Sequence, residues 1–506
     1  MRWSLVVVII IVSACHTPAP VPDDAGPGDG TWRSALYPDD WTPAFTDDAG
    51  RFLHDFSYAG YEGGLEPPFL PATVTLTPPP GDATAMLQQA IDDGGVVLLG
   101  PGTWRIEGSL SIARPGVVLR GAGPSTTLVF TRNTGLDYGQ NVLIGSAPRE
   151  TGEAPLAADG ETRSLTITLG AMDAGALQPG DDVVLGHVIT PEFIAAYGMT
   201  GTWRAFNDTW QPMAWRTVRA VQGDTVTLDV PLRSALLVRD RASLRRVVHP
   251  VHHVGIESLS FTNAVDTPAA LAMNQAAVFS FSGVKDCWVR DVRSVSLDGG
   301  AHVQSGGVRV HQSRRVTVTK SAIGRAQHRG SGGNGYLFEV RQSNEVLFQD
   351  CEGRDGRHNF IQNWGFGTSG CVWQRVTSAG GASESAFGTN SSSFSEFHHS
   401  LATANLIEDS TFDDGFAIVN RRQESTGAGH TGTQNVFWNV RGAGALRSMQ
   451  HGHGYVIGTE QLVVDTRDLL FGFAGTEPLD STEGLDAGTR LRPRSLLDDQ
   501  RRRRRP

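Results

Sequence analysis

From residue 254 onward, apolar or small side chains recur at positions i, i+2 and i+5 of seven successive segments. Val254, Ile256 and Leu259 open the series. Cys287, Val289 and Val292 follow, then Val316, Val318 and Ser321, then Val346, Phe348 and Cys351. Cys371, Trp373 and Val376 continue it, Asn405, Ile407 and Ser410 fit loosely, and Val436 with Trp438 closes it. The spacing averages about 30 residues, which marks a repeat architecture. An i, i+2 pair is one face of a strand, and i+5 lies past a bend. A unit this small cannot bury its apolar face alone, so the coils must stack with like residues in ladders. The pattern therefore predicts an all-β chain, a parallel β-helix over residues 246–465.

Other stretches carry other periods. Thr84 to Asp93 places Met86, Leu87, Ala90 and Ile91 on one helical face, with Asp82 or Thr84 as N-cap and Gly94-Gly95 as stop. Short β-runs follow through residue 145. In 146–245, Val218, Val221, Val226, Leu228 and Val230 alternate around Gly223-Asp224, which predicts an inserted antiparallel β-domain. Trp203, Trp210 and Trp215 in that insert suit a sugar-stacking wall or the insert's own core equally. Residues 31–81 are aromatic-rich and predict a segment that wraps the body, its rings used for packing. Residues 466–506 leave the repeat and end in SLLDDQRRRRRP, expected as a short helix or frayed tail with Arg501 to Arg505 in solvent.

The order of helix, GGVVLLGPGTWRI, LSI and GVVLRGAG over 82–123 resembles the opening of the pectate-lyase superfamily of bacterial β-helix proteins. The resemblance implies that the helix caps the apolar end of the solenoid. The superfamily hosts lyases, hydrolases, epimerases and adhesins, so fold alone does not choose among them.

At the N-terminus, Arg2 precedes the apolar run Val6 to Val12 and then Ser13-Ala14-Cys15. The run is far short of the ~18–20 residues that span a bilayer and reads as an export signal. Small residues before a cysteine resemble the bacterial lipoprotein lipobox. That resemblance implies cleavage after residue 14, lipidation of Cys15 and an address at the outer membrane or cell surface of a Gram-negative bacterium. Residues 15–30, rich in proline, glycine and aspartate, form a disordered tether. Cys287, Cys351 and Cys371 sit at ladder positions and read as buried free thiols.

Composition sharpens this picture. Glycine supplies 60 of 506 residues, which the corners of the coils would account for through positive φ. Two lysines, Lys285 and Lys320, stand beside 41 arginines, so cationic chemistry falls to arginine and histidine. The net charge of −10 argues against a nucleic-acid partner. Residues 285–447 nevertheless carry 17 Lys+Arg against 15 Asp+Glu, and seven of the 15 histidines. A locally basic face rich in arginine forks suits an acidic polysaccharide. The body is expected to be a monomer.

A packed solenoid leaves sites only on its outer faces. Three polar clusters are candidates. Gly356 to Trp364 offers Arg357 and His358 for catalysis, with Asn363 and Trp364 for substrate. Glu396 to Ser400 contains adjacent histidines that face opposite ways on a strand, of which His399 is the candidate. The third, Asp409 to Gly432, offers Asp413, Asp414, Arg421 and His430 for catalysis and Asn420 and Arg422 for substrate. No zinc-type spacing such as H-E-x-x-H is present. Asp413-Asp414, Phe416 to Val419 and Gly429-His430 resemble part of the polygalacturonase pattern, without its Asn-Thr-Asp or its Arg-x-Lys. That implies an inverting hydrolase as one alternative. β-Elimination on a uronate needs a neutralised carboxylate, a base at C5 and an acid at the leaving oxygen. The lyases that this fold resembles often use arginine or lysine as base beside calcium. That implies Arg357, Arg421 or Arg422 to neutralise or abstract, His358, His399 or His430 as the alternative base or acid, and Asp409, Asp413 and Asp414 as candidate Ca²⁺ ligands. The expected function is thus a lyase on an acidic glycan. A polygalacturonase-type hydrolase and a non-catalytic glycan-binding lipoprotein are the alternatives.

Overall fold

Strand pairing turns the repeat into a right-handed parallel β-helix. The computed structural model describes residues 30–170, 177–384, 390–467 and 476–504; the leader, Cys15 and the tether lie outside the described residues. An 18-stranded sheet and a ten-stranded sheet, both parallel in their pairings, form its walls. In the first sheet, Leu119, Ile256, Val289, Val318, Phe348, Trp373, Ile407, Phe437 and Val456 are aligned in one fully buried ladder. Each such side chain contributes about 1.5–3 kcal/mol by burial.

The register corrects the last repeat by one residue. Phe437 rather than Val436 or Trp438 aligns with Ile407, so the inward triple is Asn435, Phe437 and Val440. Backbone angles agree. The residue before each triple has positive φ in His253, Asp286, Arg315, Glu345, Ala404 and Gln434, and so does the residue before i+5 in Ser258, Asp291, Lys320, Asp350, Arg375, Asp409 and Asn439. Gly370 alone among these corners is glycine. The expectation that glycine makes the coil corners therefore fails at both bends of the first sheet. Side chains that are all polar but that of Ala404 occupy the left-handed region there, at a cost of about 1–2 kcal/mol each, because every corner is fixed by the coils above and below.

Thr84–Asp93 forms the cap helix and sends Leu87, Ala90 and Ile91 into the solenoid core. Ala83 occupies the N-cap position, and Asp82 instead accepts from the Thr84 amide and hydroxyl. Residues 31–59 cover the first sheet's outer row. Leu36, Tyr37, Trp41, Leu53 and Phe56 pack on Leu347, Val372, Leu406, Val436, Trp438 and Tyr455. Ser481–Glu483 adds a further parallel rung beside Tyr455–Glu460, so the sheet extends past the expected end of the repeat. The C-terminal helix Leu496–Arg504 then closes over residues 31–64. Arg501 is half-buried, whereas Arg502, Arg503 and Arg504 are exposed as expected, two of them still touching residues 31–64. Arg501 donates to the Ala59 carbonyl at 2.7 Å, Arg503 donates to that of Asp39 at 2.9 Å, and Arg504 lies over the Tyr58 ring. Arg505 lies outside the described residues. The three thiols are free and buried.

Residues 149–248 form the inserted domain, a six-stranded antiparallel sheet. Val221 faces Val226, and Val218 faces Leu228, across the Gly223-Asp224 turn. The insert docks on the turns that follow the second sheet. The Trp215 indole donates to the Gln342 carbonyl at 2.9 Å, Arg314 meets Asp229 at 2.7 Å, and Lys285 meets Asp182 at 2.7 Å. Gly367 permits the approach, since a Cβ there would lie 1.9 Å from the Pro212 carbonyl oxygen. Of the insert's tryptophans, Trp203 and Trp215 are buried. Trp210 remains partly exposed, with Arg245 stacked 3.8 Å from its ring centroid. Among the described residues no helix is long and apolar enough to cross a membrane.

Candidate functional site

With the first sheet covered on its outside, the second sheet offers the open wall. Its strands Val308–His311, Tyr336–Arg341, His358–Gln362, Ser395–Phe397, Phe416–Ile418 and Ala445–Ser448 are stacked in parallel. Phe338, Phe360, Phe397 and Phe416 point into the core. Alternation then turns the intervening residues outward. The register aligns Arg309, Glu339, Ile361, Glu396, Ala417 and Arg447 in one outward row.

Along that row two carboxylates, Glu339 and Glu396, separated by Ile361, each gather charge-assisted contacts. Glu339 accepts from Arg309 at 2.8 Å, from Asn363 at 2.9 Å and from Arg341. The two guanidinium groups hold its carboxyl down at about 2 despite burial. Two coils along, past Ile361, Glu396 Oε2 accepts from Arg421 Nη1 at 2.8 Å. Its Oε1 meets His398 Nδ1 and lies 3.2 Å from His358 Nε2. Burial opposes ionisation of Glu396, but Arg421 and the two imidazoles hold its pKa well below the usual carboxylate range. Burial likewise pushes His358 down to about 3. His398 is also lowered by burial, with Glu396 opposing. Its side chain keeps 11% exposure, against 6% for His358.

Beside this row a cleft opens between insert and solenoid, lined by Phe206, Trp210, Gln211, Arg245, Gln342 and Trp364 among others. Trp364 is 43% exposed and its ring covers His399 with 4.5 Å between centroids. His399 is therefore buried beneath a tryptophan, bonded to Ser400 Oγ at 2.8 Å, with burial lowering it to about 3. Arg357 donates to the Gly330 carbonyl.

The third sequence cluster separates. Asp409 turns to the first-sheet side, where Arg441 and Arg494 bind it at 2.9 and 3.0 Å. Asp413 accepts from the Ala443 amide, and Asp414 accepts from Asn359 and the Gly381 amide inside a corner. Asn420 bridges His430 through the backbone and caps the Arg422 amide, while Arg422 is exposed. His430 packs on His451 under the insert and is lowered to about 4 by burial. Asp409, Asp413 and Asp414 thus form no shared set of oxygen ligands, so the residues present do not fit the calcium ion that lyases of this fold imply. Among the described residues, the group of three ligand side chains that converges is His358, Glu396 and His398, with ligand atoms within 4.8 Å of one another.

Sequence reasoning singled out His358, Asn363, Trp364 and Arg421, which the structure gathers on this wall. It passed over Glu339, Arg309, Arg341, Glu396 and His398. The signal was available in Phe397: an apolar inward residue turns both Glu396 and His398 outward together.

No family model matches the sequence, and the search of curated proteins gives no match. Solved structures of similar shape include the tailspike gp61 of Pseudomonas phage phi297, 13% identical, covering 79% of this chain and 67% of its own with a TM-score of 0.47. The gp54 tailspike of Acinetobacter baumannii bacteriophage AP22, solved with capsular saccharide, is 11% identical over 80% and 67% of the two chains, TM-score 0.40. An alginate lyase from Paenibacillus is 10% identical over 82% of this chain and 100% of its own, TM-score 0.35. By the topology of its own coils, the chain is a right-handed parallel β-helix.

Proposed function

We propose that the outer wall of the second sheet processes an acidic polysaccharide by β-elimination. The observation that carries this reading is the outward row itself. Arg341 and Arg421, with side chains about one-fifth exposed, flank a Glu396-anchored imidazole and lead to an exposed tryptophan in a cleft. Arginine forks match uronate carboxylates in geometry and charge, and a flat ring seats a sugar face. Bringing a carboxylate against Arg421 withdraws charge from C5 and acidifies its proton. His398 is the proton-transfer residue, because Nδ1 is held at Glu396 and the opposite ring edge is left for substrate. The C5–H electron pair forms the C4–C5 double bond, the C4–O bond breaks, and the leaving oxygen takes up a proton. No oxidant or reductant is required. The apolar run ending at Cys15 supports export and lipid anchoring at the cell surface, where such a polymer is met.

The test is incubation of the purified protein with a panel of uronate polymers. The expected result is rising ultraviolet absorbance from the unsaturated product, lost in Arg421→Ala. New reducing ends without that absorbance would mean hydrolysis, and binding without cleavage would remove both reactions. Full activity in Arg421→Ala would move the reaction off this wall.

A further inference from the structure

We propose that His358, Glu396 and His398 bind a first-row divalent cation of the zinc class. Its catalytic meaning rests on the reading above; the binding itself does not.

The argument begins with hydrogens. His358 Nδ1 lies 2.5 Å from the Phe394 carbonyl oxygen, which can only accept, so this nitrogen carries the hydrogen of the ring. A buried neutral imidazole then has a bare lone pair at Nε2. That lone pair has no hydrogen-bond partner and faces Glu396 Oε1 at 3.2 Å. His398 Nδ1 converges on the same oxygen. His358 Nε2 and Glu396 Oε1, two acceptors turned toward one another in a buried place, repel, and a cation that also displaces the hydrogen between His398 Nδ1 and Glu396 converts that repulsion into coordination. Two ligands each ~2.0–2.1 Å from a tetrahedral ion stand about 3.3 Å apart, close to the separation of Nε2 and Oε1.

The donor set names the class of ion. Two imidazole nitrogens and one carboxylate oxygen suit zinc and its first-row neighbours, whereas calcium takes six to eight oxygens. Three protein ligands leave a fourth position open. The ligands are also held from behind. The Phe394 carbonyl fixes the His358 ring, and Arg421 occupies the second oxygen of Glu396 at 2.8 Å, leaving Oε1 free. One carboxylate against a divalent ion and Arg421 leaves net positive charge, which the carboxylate of an acidic sugar would match. The spacing from residue 358 to residues 396 and 398 spans a coil, so no local motif announces this site.

The test uses the chain stripped with a chelator and titrated with Zn²⁺ by calorimetry and with Co²⁺ by visible absorption. The expected result is one ion per chain, a four-coordinate Co²⁺ spectrum and a rise in melting temperature on Zn²⁺ addition. Glu396→Gln and His398→Gln, each nearly isosteric, should weaken Zn²⁺ by about tenfold or more. Histidine nitrogen shifts of the native chain on Zn²⁺ addition give a readout that does not depend on either variant folding. Absence of saturable one-to-one binding, or undiminished binding in both variants, overturns the proposal. A chain that binds Zn²⁺ and cleaves no glycan leaves this site standing and overturns the reaction; one that cleaves equally well without metal leaves the reaction standing and overturns only the site's catalytic meaning.

Discussion

Trp364 is the residue on which the cleft's chemistry is easiest to read. Its φ of 45° places it in the left-handed region, and nearly half of the side chain is in solvent. A bulky residue in that backbone conformation is held there by its surroundings, and here the rings of His399 and Phe206 support it at 4.5 and 5.4 Å. A strained, exposed, propped-up indole serves binding better than packing. Trp364→Ala should therefore raise KM on the cleaved polymer about tenfold with little change in kcat, the signature of lost uniform binding. Steady-state kinetics on polymer and on short oligomers would check it, and a fall in kcat alone would count against a binding role. Trp364 was legible because an amide-rich strand runs into it. His398 was not chosen over His399, because two adjacent histidines look alike until Phe397 is known to point inward. Among the three aspartates of the third cluster, nothing in local spacing reveals that Asp409 lies beyond the αL corner that turns it toward Arg441 and Arg494.

Elements show the same division between what stacks and what covers. Inward ladders repeat, so their period was readable through six coils. The seventh failed because Val436 and Trp438 are also fully buried, under Tyr37 and the C-terminal helix, and a strand buried on both faces has no alternation to read. One polar ladder runs through these coils as well. Asn405 Oδ1 accepts the Cys371 amide at 2.9 Å, Asn435 Oδ1 accepts from Asn405, Gln450 accepts from Asn435, and the Gln450 amide reaches Asp480. Asp480 ends the ladder with no cation paired to it among the described residues, and burial pushes its carboxyl up to about 7. The folded state holds that proton more tightly than the unfolded chain does. Its contribution to stability is therefore full below about pH 4 and is lost as pH rises through about 7. Asp480→Asn, which is neutral at every pH, should raise the melting temperature by a few degrees at pH 8 and by nothing at pH 4. Unfolding scans across that range would show it, and an equal shift at both ends would assign the effect to something other than ionisation.

At the scale of the molecule, insert and solenoid are joined by buried ions beside an apolar seam, in which Phe366 and Leu401 of the coils pack with Phe193, Trp203 and Phe206 of the insert. Arg216, Arg233, Arg314 and Arg315 meet Asp229, Glu345 and Asp286, with the Arg314 and Asp229 side chains 0% and 2% exposed. Burial opposes ionisation of Asp229, but the Arg314 charge and the Thr217 amide hold its pKa down at about 2, so the pair stays ionised across the physiological range. Removing one member of such a pair leaves a buried uncompensated charge, which costs about 3–5 kcal/mol, whereas an exposed surface pair costs little. The joint also sets the width of the cleft. Trp210 and Arg245 stand on the insert, Gln342 and Trp364 on the coils, and Trp215 is bolted to Gln342 and Asn344 between them. Asp229→Asn should accordingly do two things at once. It should split the thermal transition, with the insert melting ahead of the coils. Below that first transition it should raise KM without altering the metal affinity of His358, Glu396 and His398, which lie on strands the insert does not contribute. Calorimetry and Zn²⁺ titration of the same variant separate these effects. A single unshifted transition would mean that the insert is held by the apolar seam and the Trp215 contacts, and that the arginines at the joint serve the solenoid rather than the domain it carries.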